Sequence, residues 1–340
     1  MMQSFLDELS TLARDVWEEG QQRLVSRVHW VGLGNGDADF HDNVIFFGFD
    51  EEHADPLLVA KVPRLKENGW MLQTEYDHLV DLWTCIGQAA VDYIPRPYAI
   101  HSVQDRPVLM ISYVPGESLT RLSPKSFWGK SQSVLALATE AARSLRELNQ
   151  LTASPIGAEE QLVSEFHRKA AKFREIFSTN TEENHALSDL TTVLDDRSRR
   201  SSHKVVVQGD FWHGNMIRHK QRGRLMFVDW QFAHWSVDVS LDVYFFLLAG
   251  ALSAAGDGPA DVCAKSAFTR LAAWREDVIP EYLAAYGQPD RYVLLPQKYG
   301  LMLCCVEKAV RSALEFGYSH PDDLVWRYLF TELLNWPAEQ

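Results

Sequence analysis

Two aspartates and an asparagine raise the first chemical question. In VVVQGDFWHGNM (205–216) an apolar run stops at Asp210, with Asn215 five positions on; in LMFVDWQ (225–231) the next apolar run stops at Asp229. Carboxylate and amide oxygens suit Mg²⁺, which takes one or two carboxylates together with substrate phosphates. A further carboxylate beside such a centre can orient an incoming hydroxyl, which is what phosphoryl transfer needs. MIRH reads as a short strand, KQRG as a turn and RLMFV as the returning strand. An antiparallel hairpin brings its open ends together, so Asn215 and Asp229 are expected side by side, with Asp210 on the feeding loop facing the same end. The alternative is that these polar residues only cap turns.

Upstream, Lys61 sits inside the apolar strand LLVAKVP, and Glu75 lies on a helical pattern, WMLQTEYDHLVDLW. A strand lysine held by a helical glutamate can contact nucleotide phosphates; the competing use is an edge lysine that discourages sheet-to-sheet aggregation. The segment GLGNGDADFHDNVIFF carries Gly32, Gly34 and Gly36 but leads into a strand, NVIFF, not a helix. That excludes a dinucleotide-binding βαβ loop and leaves a hairpin turn, either plain or arched over phosphates.

The elements that must position these residues follow from hydrophobic periodicity. MMQSFLDELSTLARDVWEEG reads as an amphipathic helix with acids among its apolar residues, not as a signal peptide. Residues from about 28 to 112 are rich in strand patterns, and beyond SYVPGES the pattern turns helical, over about 130–200 and again from about 258 onwards. The expected organisation is an N-terminal nucleotide-binding lobe over 1–112, comprising a helix plus a sheet. A helical lobe over 113–340 would carry the catalytic loop and the acceptor site.

Composition narrows the function. The 340 residues carry a formal net charge of −13, which argues against nucleic acid as a partner, because neutralising phosphates needs clustered Lys and Arg. Cys85, Cys263, Cys304 and Cys305 have no metal-ligand spacing, and a reducing compartment is expected. No charge-free apolar run is long enough for a bilayer. The expectation is a cytoplasmic protein without a membrane partner, as monomer or homodimer. No H-E-x-x-H, G-x-x-x-x-G-K-[ST] or G-x-S-x-G occurs, which removes the zinc-protease, P-loop and α/β-hydrolase readings.

QGDFWHGNM followed by FVDWQ resembles the protein-kinase-like superfamily of small-molecule phosphotransferases, the aminoglycoside phosphotransferase and choline kinase relatives. In motif style it is similar to the ecdysteroid-kinase-like branch. The D-x-x-x-x-N spacing is that of kinase catalytic loops. The resemblance implies an α+β, two-lobed protein-kinase-like fold, with a small antiparallel-sheet N-lobe and a larger, mainly helical C-lobe. It implies ATP (with GTP as an alternative donor) and Mg²⁺ as cofactors, and the hydroxyl of a small molecule as acceptor. Asp210 would be the catalytic base, Asn215 and Asp229 the metal ligands. Lys61 would contact the phosphates, Glu75 would position it, and Gly34 and Gly36 would lie in the nucleotide loop. Asp242, in SVDVSLDVYFF, would brace the catalytic loop, with Asp238 as a second brace or a helix cap. Gln208 stands where the family usually has histidine, and would support the loop in its place. That exchange motivates a second reading, a nucleotide-binding regulatory protein of the same fold without transfer activity. A protein kinase is a third, although no segment the size of an activation loop separates Asp229 from Asp238.

Overall fold

The computed structural model describes residues 2–21, 27–33, 43–122, 127–128, 131–157, 164–315 and 321–337; Gly34 and Gly36 lie outside them. In chain order come α1 (Met2–Gln21), β1 (His29–Leu33), β2 (Asn43–Phe49), β3 (Leu58–Pro63), α2 (Gly69–Ile86), β4 (Pro97–Val103), β5 (Arg106–Ser112) and β6 (Gly116–Ser118). Next are α3 (Leu119–Leu122), α4 (Ser131–Thr152), β7 (Ser154–Pro155), α5 (Ser164–Phe177), α6 (Thr181–Ser198), β8 (His203–Val207), β9 (Met216–His219), β10 (Leu225–Phe227) and β11 (His234–Ser236). The chain ends on α7 (Ser240–Ala255), α8 (Ala260–Trp274), α9 (Val278–Tyr286), α10 (Gln297–Glu315) and α11 (Pro321–Leu333). Two units result, Met1–Glu117 with Met216–Ala233, and Ser118–Asn215 with His234–Gln340.

The first unit is built on an antiparallel sheet in the order β1-β2-β3-β5-β4. β3 is paired on both sides and buried along its whole length. Its Leu58, Ala60 and Val62 pack with Leu9, Ala13 and Val16, which recur at helical spacing on α1. Because side chains alternate along a strand, Val59 and Lys61 take the opposite face. Lys61 is therefore an interior residue, and the edge-lysine alternative fails. β4, not foreseen as a separate strand, pairs with β5 through an irregularity at Pro97/Ala99. The β9–β10 hairpin forms as the sequence implies, with Phe227 opposite Met216, and continues into β6. At Gly116 a Cβ would lie 2.1 Å from the Arg218 carbonyl oxygen, so glycine permits that approach.

The second unit is helical apart from a small sheet in the order β11-β8-β7. Every residue of α7 from Ser240 to Ala251 is buried, as expected of a helix apolar on all faces. Phe246 of α7 stacks on Tyr282 of α9 at 5.7 Å, and Trp128 packs edge-on to the same Phe246. Asn149, on α4, donates to the Val206 carbonyl at 2.9 Å and accepts from the Tyr286 hydroxyl at 2.8 Å, which ties β8 to two helices. Among the described residues no single helix is long and apolar enough to cross a membrane.

Candidate active site

In the first unit, Lys61 and Glu75 meet. The ammonium donates to both Glu75 oxygens, at 2.7 and 2.9 Å, and to Asp229 Oδ1. β3 supplies the lysine from its inner position, and α2 presents a buried glutamate to the face opposite α1. Burial penalises the Lys61 charge, but the Asp229 and Glu75 carboxylates outweigh that penalty and push its pKa above the lysine range. Burial pushes the Glu75 carboxyl up, with Lys61 pulling it back.

Asp229 follows β10 with φ at 60°, a left-handed conformation that costs a non-glycine residue about 1–2 kcal/mol. Such strain persists only where neighbours enforce it. The Trp230 N–H donates to Glu75 Oε1 at 3.4 Å, Trp230 Nε1 to the Phe227 carbonyl at 2.8 Å, and the His78 ring to the Trp230 carbonyl at 2.9 Å. The Asp229 side chain keeps 45% of its surface accessible. It thus combines an ordered backbone with a carboxylate available to a cation.

In the second unit, Val205–Val207 are buried in β8, and the chain turns at Gly209, whose φ of 76° suits glycine. Asp242, in the first turn of α7, accepts from the N–H groups of Gln208 at 2.6 Å and Gly209 at 2.8 Å. Burial raises the Asp242 pKa to about 7, against the pull of those two N–H groups. Asp238 spends Oδ1 on the N–H and hydroxyl of Ser240, at 2.9 and 2.6 Å, and so caps the start of α7. Burial lifts its pKa to about 6.

Asp210 comes next, its side chain 24% accessible. Asn215 Nδ2 donates to Asp210 Oδ2 at 2.8 Å and to the Asp210 carbonyl at 3.0 Å. Burial would push the Asp210 pKa up, but Lys308 and Arg311 hold it below the usual carboxylate range. With its amide nitrogen committed to Asp210, Asn215 has Oδ1 left for a cation. Within its own unit, each of Asn215 and Asp229 offers an oxygen of the kind that Mg²⁺, a hard cation, takes.

A model described as the phosphotransferase enzyme family matches residues 86–293, which spans both the catalytic-loop stretch and the Asp229 turn. The chain belongs to that family. No protein of curated function matches it at a significant level. Among solved structures, it is similar to a candidate aminoglycoside phosphotransferase from Ralstonia eutropha JMP134, at 13% identity over 94% of this chain and 98% of that one, with a TM-score of 0.56. A choline/ethanolamine kinase family protein from Mesorhizobium loti matches at 11% identity over 90% and 91%, TM-score 0.51. A candidate fructosamine-3-kinase from Haemophilus somnus 129PT matches at 13% over 94% and 96%, TM-score 0.51. At such identities the likeness is one of fold. With the family match it makes the chain a small-molecule phosphotransferase of the protein-kinase-like superfamily.

Other residues of this phosphotransferase fall into place around its loop. Gln208 is buried, and its contact with Asp242 runs through the backbone N–H, which any residue type except proline could make. His213 is buried against Trp128, with ring centroids 4.6 Å apart, and burial depresses its pKa to about 4; it packs beneath the loop as a neutral ring. Trp230 is likewise core. Trp235 lines a separate cavity of about 180 Å³ with Glu165, Asp238 and Glu307.

The sequence reading missed Lys308 and Arg311, on α10. Lys308 donates to Asp210 Oδ1 and, at 3.2 Å, to the Gly209 carbonyl. Arg311 Nη2 donates to the same carbonyl at 2.9 Å. The available signal was a lysine and an arginine three apart in a mostly apolar helix, LMLCCVEKAVRSAL, which places both on one face.

Proposed function

We propose that this phosphotransferase moves the γ-phosphoryl group of ATP to a hydroxyl of a small molecule. The observation that carries the reading is the Gln208–Asn215 loop: a partly accessible, ionised Asp210, fixed through Gly209 by Asp242 and through Oδ2 by Asn215. Asp210 orients the acceptor hydroxyl. The acceptor oxygen bonds to the γ-phosphorus, the bond from that phosphorus to the β–γ bridging oxygen breaks, and the hydroxyl proton passes to the Asp210 carboxylate. ADP and a phosphate monoester leave. Lys61, steadied by Glu75, serves the donor phosphates, and Asn215 and Asp229 serve Mg²⁺, which when bound neutralises charge on the phosphates. Gln208 in place of histidine does not weaken this reading, because the loop is braced through its backbone.

The test is ADP release with Mg²⁺ across hydroxylated small molecules, among them aminoglycosides, choline, amino sugars, nucleosides and macrolides, with Asp210→Ala as the control. Acceptor-dependent release is expected, falling about 10²–10⁴-fold in the variant. A variant within about tenfold of wild type, roughly 1.4 kcal/mol of barrier, would remove Asp210 from the chemistry. Nucleotide binding with no release on any acceptor would favour the regulatory reading.

A further inference from the structure

The Asp210 carboxylate is held at both oxygens, and one of the holders comes from a helix nearly a hundred residues further along the chain. Asn215 takes Oδ2. Lys308, buried on α10, takes Oδ1, while Arg311 places Nη1 4.0 Å from the same oxygen. A lysine in such a place is expensive, since burying an ammonium costs far more than burying an apolar side chain. The Lys308 Nζ sits 3.6 Å from the centroid of the Phe245 ring, a cation–π contact that offsets part of that cost, and burial depresses its pKa to about 8 against the pull of Asp210. The charged and titratable groups facing it are Asp210, Arg311, Asp242 and Cys304, whereas its neighbour Glu307 pairs with Lys169.

A purely structural role accounts poorly for this lysine. The Gly209 carbonyl already has Arg311 as a donor at 2.9 Å, so the loop backbone is satisfied without Lys308. What Lys308 adds is a positive charge on the carboxylate itself. A carboxylate offers about four lone-pair sites, so the two bonds leave it able to accept an acceptor hydroxyl. A hydroxyl so bound would lie within roughly 6 Å of the ammonium, two hydrogen-bond lengths.

We propose that Lys308, seconded by Arg311, is a positioning residue of phosphoryl transfer, fixing the Asp210 carboxylate in one rotamer for the acceptor hydroxyl. The proposal rests on the role given to Asp210 above. α10 thereby becomes part of the catalytic apparatus and not only of the core.

The experiment uses the full chain with Lys308→Met, which keeps length and removes charge, and Lys308→Arg, which keeps charge. Two quantities are read: kcat and acceptor KM with Mg²⁺-ATP, and the placement of the Asp210 carboxylate relative to Asn215 in crystal structures of the wild type and the variants. In Lys308→Met, kcat is expected to fall about 10²-fold, the effect of a misplaced group, with acceptor KM nearly unchanged and partial recovery in Lys308→Arg. The Asp210 carboxylate is expected to leave its wild-type rotamer in Lys308→Met and to keep it in Lys308→Arg. An Asp210 carboxylate left in its wild-type rotamer in Lys308→Met overturns the proposal, as does an unchanged kcat. If wild type transfers to no acceptor, the proposed function fails, while the rotamer comparison still decides whether Lys308 positions Asp210. Should Lys308→Met not fold, Arg311→Gln gives a milder form of both readouts, and an unmoved Asp210 carboxylate there counts equally against it.

Discussion

Asp242 shows how a single buried carboxylate writes itself into the pH dependence of the fold. It is almost fully enclosed, and burial raises its pKa to about 7, even though the Gln208 and Gly209 N–H groups and Lys308 favour its charged form. In the unfolded chain an aspartate titrates near 4. Between those values the folded state holds a proton that the unfolded state has released, so stability falls as pH rises from about 4 to about 7. The largest change consistent with the shift is on the order of 4 kcal/mol. Asp242→Asn cannot titrate and removes that slope. The difference in unfolding free energy, wild type minus variant, is therefore expected to shrink across this window in urea denaturation. Asp238, with its pKa near 6, is present in both proteins and cancels. A difference that stays flat with pH would mean that Asp242 is ionised throughout, held so by its two N–H donors.

At the scale of elements, the loop is only as well placed as β8, and β8 is anchored by α4. Asn149→Ala would strip the partner from the buried Val206 carbonyl and remove one of the two partners of the buried Tyr286 hydroxyl, which keeps Tyr292. One orphaned group and one lost bond predict a loss of roughly 2 kcal/mol, readable as a lower urea midpoint with an unchanged slope. A loss below about 1 kcal/mol would place the anchoring elsewhere, for instance in the bond from the Val206 N–H to Thr152. This scale also explains what the sequence could disclose. β3 and α2 announce themselves by period, and a lysine in one with a glutamate in the other suffices to suggest their pairing. The hairpin around Asn215 and Asp229 is legible because strand, turn and strand are contiguous. β4 hides behind Pro97 and the mixed run PYAIHSV, and β7 and β11 are too short to carry a period. Lys308 lies 98 residues from Asp210, and no spacing rule spans that interval. Only the packing of α10 beside α7 joins them.

For the molecule as a whole, charge decides how a nucleotide can be held. The chain carries a formal net charge of −13, and the lysine assigned to the phosphates is already compensated by Glu75 and Asp229. A free triphosphate would approach an accessible Asp229 carboxylate without a counter-charge, and like charges repel across such distances unless screened. Magnesium reverses the sign of that encounter, because the ion can be shared between carboxylate and phosphates. ATP is therefore expected to stabilise the protein chiefly when Mg²⁺ is present. A ligand that binds only the folded state at a hundred times its Kd adds about 2.7 kcal/mol, enough for a clear rise in Tm. The same ATP with EDTA should give a much smaller rise. Asp229→Asn should shrink the gap between the two conditions, leaving whatever binding Lys61 supports without the metal. Equal shifts in Mg²⁺ and EDTA would take Asp229 out of metal binding while leaving the Lys61–Glu75 pair intact as a phosphate contact. A gap that survives in Asp229→Asn would put the ion on other oxygens.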